Sequence, residues 1–173
     1  MNLRMRGSAG PGGRPGPGGR PPGRPGEAGD SFPKPSDGEL HAIIVDGDAQ
    51  TLVQVAERVG QALARPASNN ERDKLSTSQI RAIFGTVRKL EMRWPPEVHT
   101  DEEKDTERRC VRELQLLEPK LAYQSARAGS GVDNLRQVLA PAIKKVGADR
   151  QRFQHFVDFF EAILAYHRAY GGQ

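Results

Sequence analysis

The sequence has little of what several classes of protein require. Its single cysteine, Cys110, cannot form an internal disulfide or a thiolate metal cluster, which is typical of a protein from a reducing compartment. It contains no run of about eighteen apolar residues, so no membrane-spanning helix is predicted. The first ten residues include arginines but lack the apolar core of a secretory signal. We therefore expect a soluble, cytoplasmic protein.

The N-terminal stretch has almost no side chains that a core could bury. Fifteen of the twenty residues from Gly7 to Gly26 are Gly or Pro, and no contacts would offset the entropy lost on ordering them. The glycines follow no three-residue repeat, which excludes collagen. We predict two parts: a disordered Gly/Pro/Arg-rich tail over residues 1–38, and a helical bundle domain over residues 39–173.

The basic charge is concentrated in that predicted tail. The whole chain carries a formal charge of +4. Residues 1–38 hold six Lys/Arg against three Asp/Glu, whereas residues 39–173 hold twenty against nineteen. The predicted domain is therefore nearly neutral, and a nucleic-acid site on it has to arise from the placement of cations.

Helical periodicity runs through the predicted domain. Apolar residues recur at helical spacing over 49–64, and Ser76 with Gln79 matches a capping box that would begin a second helix. Thr100 with Glu103 matches another capping box, and Asp149 would cap the last helix. The segment 40–45 is the only rival for a strand. We predict an all-α fold, a compact bundle of about five helices.

Two of the predicted helices carry unusual faces. The helix from Pro119 to Ala128 would turn Leu121, Ala122 and Ala126 inward, and such small residues favour close packing. The last helix, residues 150–170, has an apolar face about half its circumference wide, more than the roughly 100° of a typical surface helix. Either it is central to the bundle, or part of this face meets another chain.

Cations at helical spacing are candidates for phosphate contacts. Arg81 and Arg88 lie seven residues apart and so on one side of the second helix, as do Lys120 and Arg127 on the fourth, with Tyr123 between them. An aromatic ring beside two cations suits base stacking combined with phosphate neutralisation. The alternative is an ordinary solvated face.

Other candidates are explained equally well by structural roles. Ser78 and Gln79 stand at a helix N-terminus, where free amides favour anions, but capping alone accounts for them. His155, Asp158 and Glu161 drift around their helix and match no metal-site spacing. His167 and Cys110 fall on apolar stripes, which predicts a histidine at the edge of the core and a cysteine that packs inside it. We therefore expect no cofactor, no metal and no catalytic site.

Three segments resemble the signature blocks of a known family. These are residues 74–81 (KLSTSQIR), 117–123 (LEPKLAY) and 159–166 (FFEAILAY), which together are similar to the small α-helical subunit of the Csm effector complex of type III-A CRISPR systems. The resemblance covers residues 70–170 and leaves out the tail. Glu118 departs from the pattern, in which a basic residue is expected, so the resemblance implies RNA contact from Lys120 but not from Glu118.

The resemblance implies a non-catalytic ribonucleoprotein subunit of antiviral defence. Several copies would line the complex and bind the backbones of CRISPR RNA and target RNA, beside other Csm subunits and further copies of the same chain, without a membrane. The candidate RNA-binding residues are Lys74, Ser78, Gln79, Arg81, Arg88, Lys120, Tyr123 and Arg127. The alternative is a helical homodimeric protein–protein adaptor that uses the wide face of the last helix and binds no RNA.

Overall fold

The computed structural model describes residues 32–66 and 73–172, and throughout these residues the regular structure is helical. The elements in chain order are α1 (Asp37–His41), a π-helical turn (Ala42–Asp46), α2 (Ala49–Ala64), α3 (Thr77–Arg93), α4 (Asp101–Gln115), α5 (Leu117–Ala128), α6 (Ser130–Val146) and α7 (Arg150–Ala169). The segment 40–45 is helical and not a strand. The predicted all-α bundle is confirmed, with six longer helices and one short one.

Two sequence predictions lie wholly or partly outside the described residues. Residues 67–70, which follow Arg65-Pro66 and are predicted from the sequence to form a loop, fall there, as do residues 1–31 of the predicted tail. Within the described part, Phe32 packs against the core and α1 begins at Asp37 after the N-cap Ser36. The domain boundary at residue 38 stays a prediction.

Side-chain caps fix the start of several helices. The Ser76 hydroxyl accepts a hydrogen bond of 3.2 Å from the Gln79 amide, and the Gln79 side chain accepts one of 2.9 Å from the Ser76 amide. Thr100 and Glu103 form the same reciprocal pair at the start of α4. Asp149 accepts from the Arg152 amide at 2.9 Å. All three predicted caps are confirmed, because each depends only on local spacing.

The last helix, α7, is the central helix of the described fold. It packs against α2, α3, α6 and the π-helical turn. Its aromatic residues Phe153, Phe156, Phe159 and Phe160 are fully buried. Trp94, at the end of α3, stacks on Phe153 with a ring-centroid distance of 4.6 Å. Of the two interpretations of its wide apolar face, the central position is the one that the structure bears out.

Helix α5 differs from its prediction in two respects. It begins at Leu117 and not at Pro119, and its buried residues are Leu117 and Leu121 alone. Ala122 and Ala126 are exposed, so the prediction that they face inward was wrong. The physical reason is the edge position of α5, which packs mainly on α6 and needs only a narrow apolar stripe.

Two contacts attach the outer part of the fold to α6. The Glu118 carboxylate pairs with the Lys144 ammonium at 3.6 Å, which gives this departure from the family pattern a structural role. The loop before α3 lies directly on the first turn of α6, where a Cβ on Gly131 would come within 2.7 Å of the Lys74 carbonyl. The side chain of Ser130 also donates a hydrogen bond to Asp73. The start of α3 is thereby held at the junction of α5 and α6.

Candidate nucleic-acid interface

A cleft of about 330 Å³ lies between α3, α5 and α6. Its lining side chains are Gln79, Ala82, Ile83, Tyr123, Gln124, Arg127, Ala128 and Val132. Three of the residues predicted from the sequence to bind RNA therefore meet at one place, although they come from two different helices. No acidic side chain from the described residues lines this cleft. We call it the α3–α5 cleft.

The α5 wall of the cleft joins an aromatic ring to a guanidinium group. Nη1 of Arg127 donates a hydrogen bond of 2.9 Å to the Tyr123 hydroxyl, and its Cζ lies 5.7 Å from the centroid of the Tyr123 ring. This distance is within the range of a cation–π contact. Tyr123 is 64% exposed. Lys120, one turn earlier, is exposed on the same side, as the spacing predicted.

On the α3 wall, the polar residues already have structural partners. Gln79 takes part in the capping box, and the Ser78 hydroxyl lies 3.0 Å from that of Ser76. Capping therefore accounts for both, as the alternative interpretation held, while Gln79 also lines the cleft. Lys74 is exposed, and its backbone rests on the first turn of α6.

The structure does not bring Arg81 and Arg88 to the cleft. At about 100° per residue, they lie roughly 200° and 180° around α3 from Gln79, which faces the cleft. Both are exposed and share one side of α3, as predicted. Arg88 forms an ion pair with Glu91 on the same helix. Any phosphate contact made by this pair belongs to a different face of the protein.

Two further residues of this surface were missed in the sequence. Gln124 follows Tyr123 and lines the cleft. Lys89 lies seven residues after Ala82, so it projects from the cleft side of α3 about 10 Å further along the helix. It is exposed. The seven-residue spacing rule could have found Lys89, but only with the knowledge that Ala82 faces the cleft.

Lys89 and Lys120 differ from several other cations of the fold, which form ion pairs with carboxylates. The Arg58 guanidinium pairs with Glu39 at 2.9 Å, and the Lys145 ammonium pairs with Asp37 at 2.7 Å. Among residues 32–66 and 73–172, neither Lys89 nor Lys120 forms an ion pair within 4 Å. Lys120 does lie close enough to Glu113 to add to the lowering of its pKa, which the hydrogen bond from Arg93 dominates.

A second basic patch, also missed, lies on α4. Arg108, Arg109 and Arg112 surround a shallow hollow together with Asp105. The Asp105 carboxylate accepts a hydrogen bond of 2.7 Å from Arg108, and its backbone carbonyl accepts one of 3.2 Å from Arg109. The patch is therefore of mixed sign, unlike the α3–α5 cleft.

The rings of His155 and His167 contact backbone carbonyl groups, and Cys110 is buried. Nδ1 of His155 lies 3.1 Å from the Ile44 carbonyl oxygen, and Nε2 of His167 lies 2.8 Å from that of Leu75. His167 is fully buried, and burial lowers its pKa; Cys110 is buried as well, and burial raises the pKa of its thiol. The prediction that Cys110 is a packing residue is confirmed, and His167 lies inside the core and not at its edge.

The described residues contain neither a cluster of metal ligands nor a helix that could span a membrane. No group of three or more His, Cys, Asp or Glu in residues 32–66 and 73–172 is arranged to hold a metal ion. None of the helices in this part of the chain is both long enough and apolar enough to cross a membrane.

Comparison with known proteins identifies the family. The family model for Csm2 of type III-A matches residues 46–173, a range that includes all three segments on which the resemblance was based. Searches of curated proteins and of solved structures found no match. The family match covers well over half of the chain. The chain therefore belongs to the Csm2 family, the small subunit of the Csm complex of type III-A CRISPR systems.

Proposed function

We propose that this protein binds the backbone of the guide–target RNA duplex through the surface around the α3–α5 cleft, as a non-catalytic subunit present in several copies in the Csm complex. The observation that carries the proposal is the convergence of Gln79, Tyr123 and Arg127 on one cleft. Lys120 and Lys89 extend the same surface along α5 and α3. Membership of the Csm2 family supports assignment to the complex, and the lining of the cleft supports the choice of this surface.

The charges of this surface favour a polyanion. Phosphate contacts require cations that project from one continuous surface and are not already neutralised. Arg127 donates to a neutral hydroxyl, so its positive charge is not cancelled by a carboxylate. A guanidinium has five N–H donors, and one bond to Tyr123 leaves others for a phosphate. Backbone binding of this kind predicts no preference for sequence.

Any RNA contact made by Arg81 and Arg88 would belong to a surface separate from the cleft. They lie on the side of α3 away from the cleft, and the charge of Arg88 is balanced by Glu91. Lys74 and Ser78 lie nearer the cleft, at the start of α3. We expect the four cleft-side candidates, Gln79, Lys120, Tyr123 and Arg127, to contribute more to RNA affinity than Arg81 and Arg88.

The adaptor alternative loses the central part of the surface on which it was based. It required the wide apolar face of α7 to remain available to a partner chain. Phe159, which widens that face, has no exposed surface, and this part of α7 packs on its neighbouring helices, whereas Tyr166 and Tyr170 are partly exposed. We therefore favour assembly through other surfaces, with catalysis assigned to other subunits of the complex.

The test is RNA binding by charge-reversal variants of the full chain. Fluorescence anisotropy of a labelled RNA duplex would be recorded over a series of salt concentrations for the wild type and for Lys120→Glu/Arg127→Glu. We expect a steep loss of affinity with salt in the wild type and a loss of at least about tenfold in the double variant. Lys104→Glu is the control, because Lys104 is exposed on α4 and pairs only with the exposed Asp101.

A second variant separates the domain from the N-terminal arginines. Replacing Arg4, Arg6, Arg14, Arg20 and Arg24 by glycine removes five charges and leaves the cleft unchanged. We expect this variant to bind with at least half of the wild-type free energy. If it binds no RNA while Lys120→Glu/Arg127→Glu binds normally, the proposed site is wrong and the N-terminal segment is the RNA-binding element.

A further inference from the structure

Tyr123 stands between two cavities. On one side is the α3–α5 cleft of about 330 Å³, and on the other is a cavity of about 430 Å³ lined by Leu116, Pro119, Lys120, Tyr123 and Gln124. Tyr123 and Gln124 line both. A large aromatic side chain that is 64% exposed and has open space on both sides is not explained by packing among the residues that the structure describes.

The cleft side of Tyr123 has the shape and chemistry of a pocket for one flat ring system. Its volume lies at the lower end of the range for small-ligand pockets, too small for a helix or a folded partner. Ile83 and Val132 supply an apolar floor. The side-chain amides of Gln79 and Gln124 add hydrogen-bonding groups, and each amide can donate as well as accept. Such a lining suits the edge and the faces of a nucleobase.

The ring of Tyr123 is held in place before any ligand arrives. The hydrogen bond from Arg127 fixes the hydroxyl, and the guanidinium lies beside the ring. A stacking platform that is already oriented loses less entropy when it binds. Lys120 and Arg127 stand one turn before and one turn after the ring, about 10 Å apart along the helix. The phosphates on either side of a nucleotide at Tyr123 would each have a cation within reach.

We propose that the α3–α5 cleft holds one unstacked base of the bound RNA against the Tyr123 ring. This inference rests on the proposed function, because it assigns a base to a surface that otherwise binds only phosphates. The occupant is a single nucleobase displaced from the stack, and its flanking phosphates lie on Lys120 and Arg127. Stacking on an aromatic ring accepts every base, so the site adds affinity without adding sequence specificity.

The test compares RNAs that differ only by one base. The first is a duplex with a single bulged 2-aminopurine nucleotide, the second has an abasic sugar at the same bulge, and the third is fully paired. For the wild type we expect the bulged base to bind about fivefold or more tightly than the abasic bulge, in line with base–aromatic stacking. The 2-aminopurine fluorescence should also be quenched on binding.

Variants at Tyr123 connect any such difference to the cleft. With Tyr123→Ala, the two bulged RNAs should bind equally and the quenching should disappear, while the fully paired duplex should still bind with the steep dependence on salt of a phosphate contact. Tyr123→Phe keeps the ring and should retain the preference for the base. Since Tyr123 is largely exposed, both variants are expected to fold, and circular dichroism would establish this.

The outcomes separate this inference from the proposed function. Equal affinity of the wild type for the bulged base and the abasic bulge overturns the base site, while salt-dependent binding of all three RNAs leaves the backbone proposal intact. A base preference that persists in Tyr123→Ala overturns the assignment to this cleft. If the wild type binds none of the RNAs at low salt, both the inference and the proposed function are wrong.

Discussion

Arg127 lies beside the ring of Tyr123, one helical turn away, and bonds its hydroxyl at 2.9 Å. The pair lies at the edge of the fold, on a helix that buries two residues. Neither side chain is needed to hold α5 in place, since Leu117 and Leu121 make its buried contacts. Substitutions here should therefore change binding with little change in the free energy of unfolding.

Arg127→Gln and Arg127→Lys should differ in a diagnostic way. Gln removes the charge, so the slope of log K against log salt for RNA binding should fall by about one unit. Lys keeps the charge and the slope, but it loses the planar contact with Tyr123 and should bind about two- to threefold more weakly. Anisotropy titrations at four or more salt concentrations measure both quantities. An unchanged slope in Arg127→Gln would mean that this residue touches no phosphate.

Reversing Lys89 should weaken RNA binding more than reversing Arg81. Both are exposed residues of α3, but Lys89 lies about 80° around the helix from the cleft-lining Gln79, and Arg81 lies about 160° from it. Because the two variants make the same change of charge on the same helix, general electrostatic effects are matched. We expect Lys89→Glu to reduce affinity about fivefold or more, and Arg81→Glu by less than half of that factor. The opposite order in binding titrations would place the RNA on the Arg81 side.

Two glycine-to-alanine changes should have opposite effects on stability. Gly131→Ala places a methyl group 2.7 Å from the backbone of Lys74, which cannot move aside easily, and should cost about 1–3 kcal/mol. Gly85→Ala, within α3, meets nothing within 4 Å and should stabilise by about 0.5–1 kcal/mol through helix propensity. Urea unfolding followed by circular dichroism measures both. A neutral Gly131→Ala would show that the loop does not lie on α6.

His167 should make the fold sensitive to acid. Burial lowers its pKa below the ordinary value of 6.5, so the unfolded chain takes up the proton more readily than the folded one. The contribution of His167 to stability is therefore complete above about pH 6.5 and is lost as the pH falls through the lower, folded-state pKa. The free energy of unfolding, measured in urea at pH 7.5 and at pH 5.5, should be smaller at pH 5.5.

Replacing His167 tests whether this residue causes the loss of stability at low pH. His167→Leu leaves the Leu75 carbonyl without its 2.8 Å partner and should cost about 1–3 kcal/mol at pH 7.5. The loss of stability between the two pH values should be smaller in this variant than in the wild type. His99→Asn, at an exposed loop position, is the control and should behave as the wild type does. The same pH dependence in all three proteins would assign it to other groups.

Phe159→Ala tests whether α7 is a core helix or an interface. With no exposed surface, Phe159 should cost about 3–5 kcal/mol when truncated, and the oligomeric state of the folded protein should not change. Met92→Ala is the matched control, since Met92 is 85% exposed and its truncation should have little effect. A Phe159→Ala variant that keeps its stability but loses self-association would restore the adaptor hypothesis.

The sequence predicted the helix caps and the relative positions of residues along one helix correctly, because these depend on residues only a few positions apart. The capping boxes at Ser76 and Thr100 follow from a three-residue spacing, and the relative positions of Lys120, Tyr123 and Arg127 follow from helix geometry alone. The burial of His167 and Cys110 follows from their places on apolar stripes. The family blocks gave the complex to which the chain belongs.

What the sequence could not predict is how each helix is turned within the bundle. Spacing puts Arg81 and Arg88 on one side of α3, but only packing shows that Gln79 and Ala82 face α5 across the cleft. Alanines are a weak guide to a buried face because they are small enough for either side, and Ala122 and Ala126 were misassigned for that reason. The cleft itself depends on the contact between Gly131 and Lys74, which are far apart in the sequence.

Under the proposed function, the burial of the α7 phenylalanines within one chain affects how a complex with several copies is supplied. In a protomer without RNA, the phenylalanines of α7 are already buried, so they add no exposed apolar surface that could cause aggregation. Free copies would then accumulate as folded protomers and dock one after another. Under the proposed function, occupancy along the RNA would then follow the concentration of the free subunit, as in a reversible polymer.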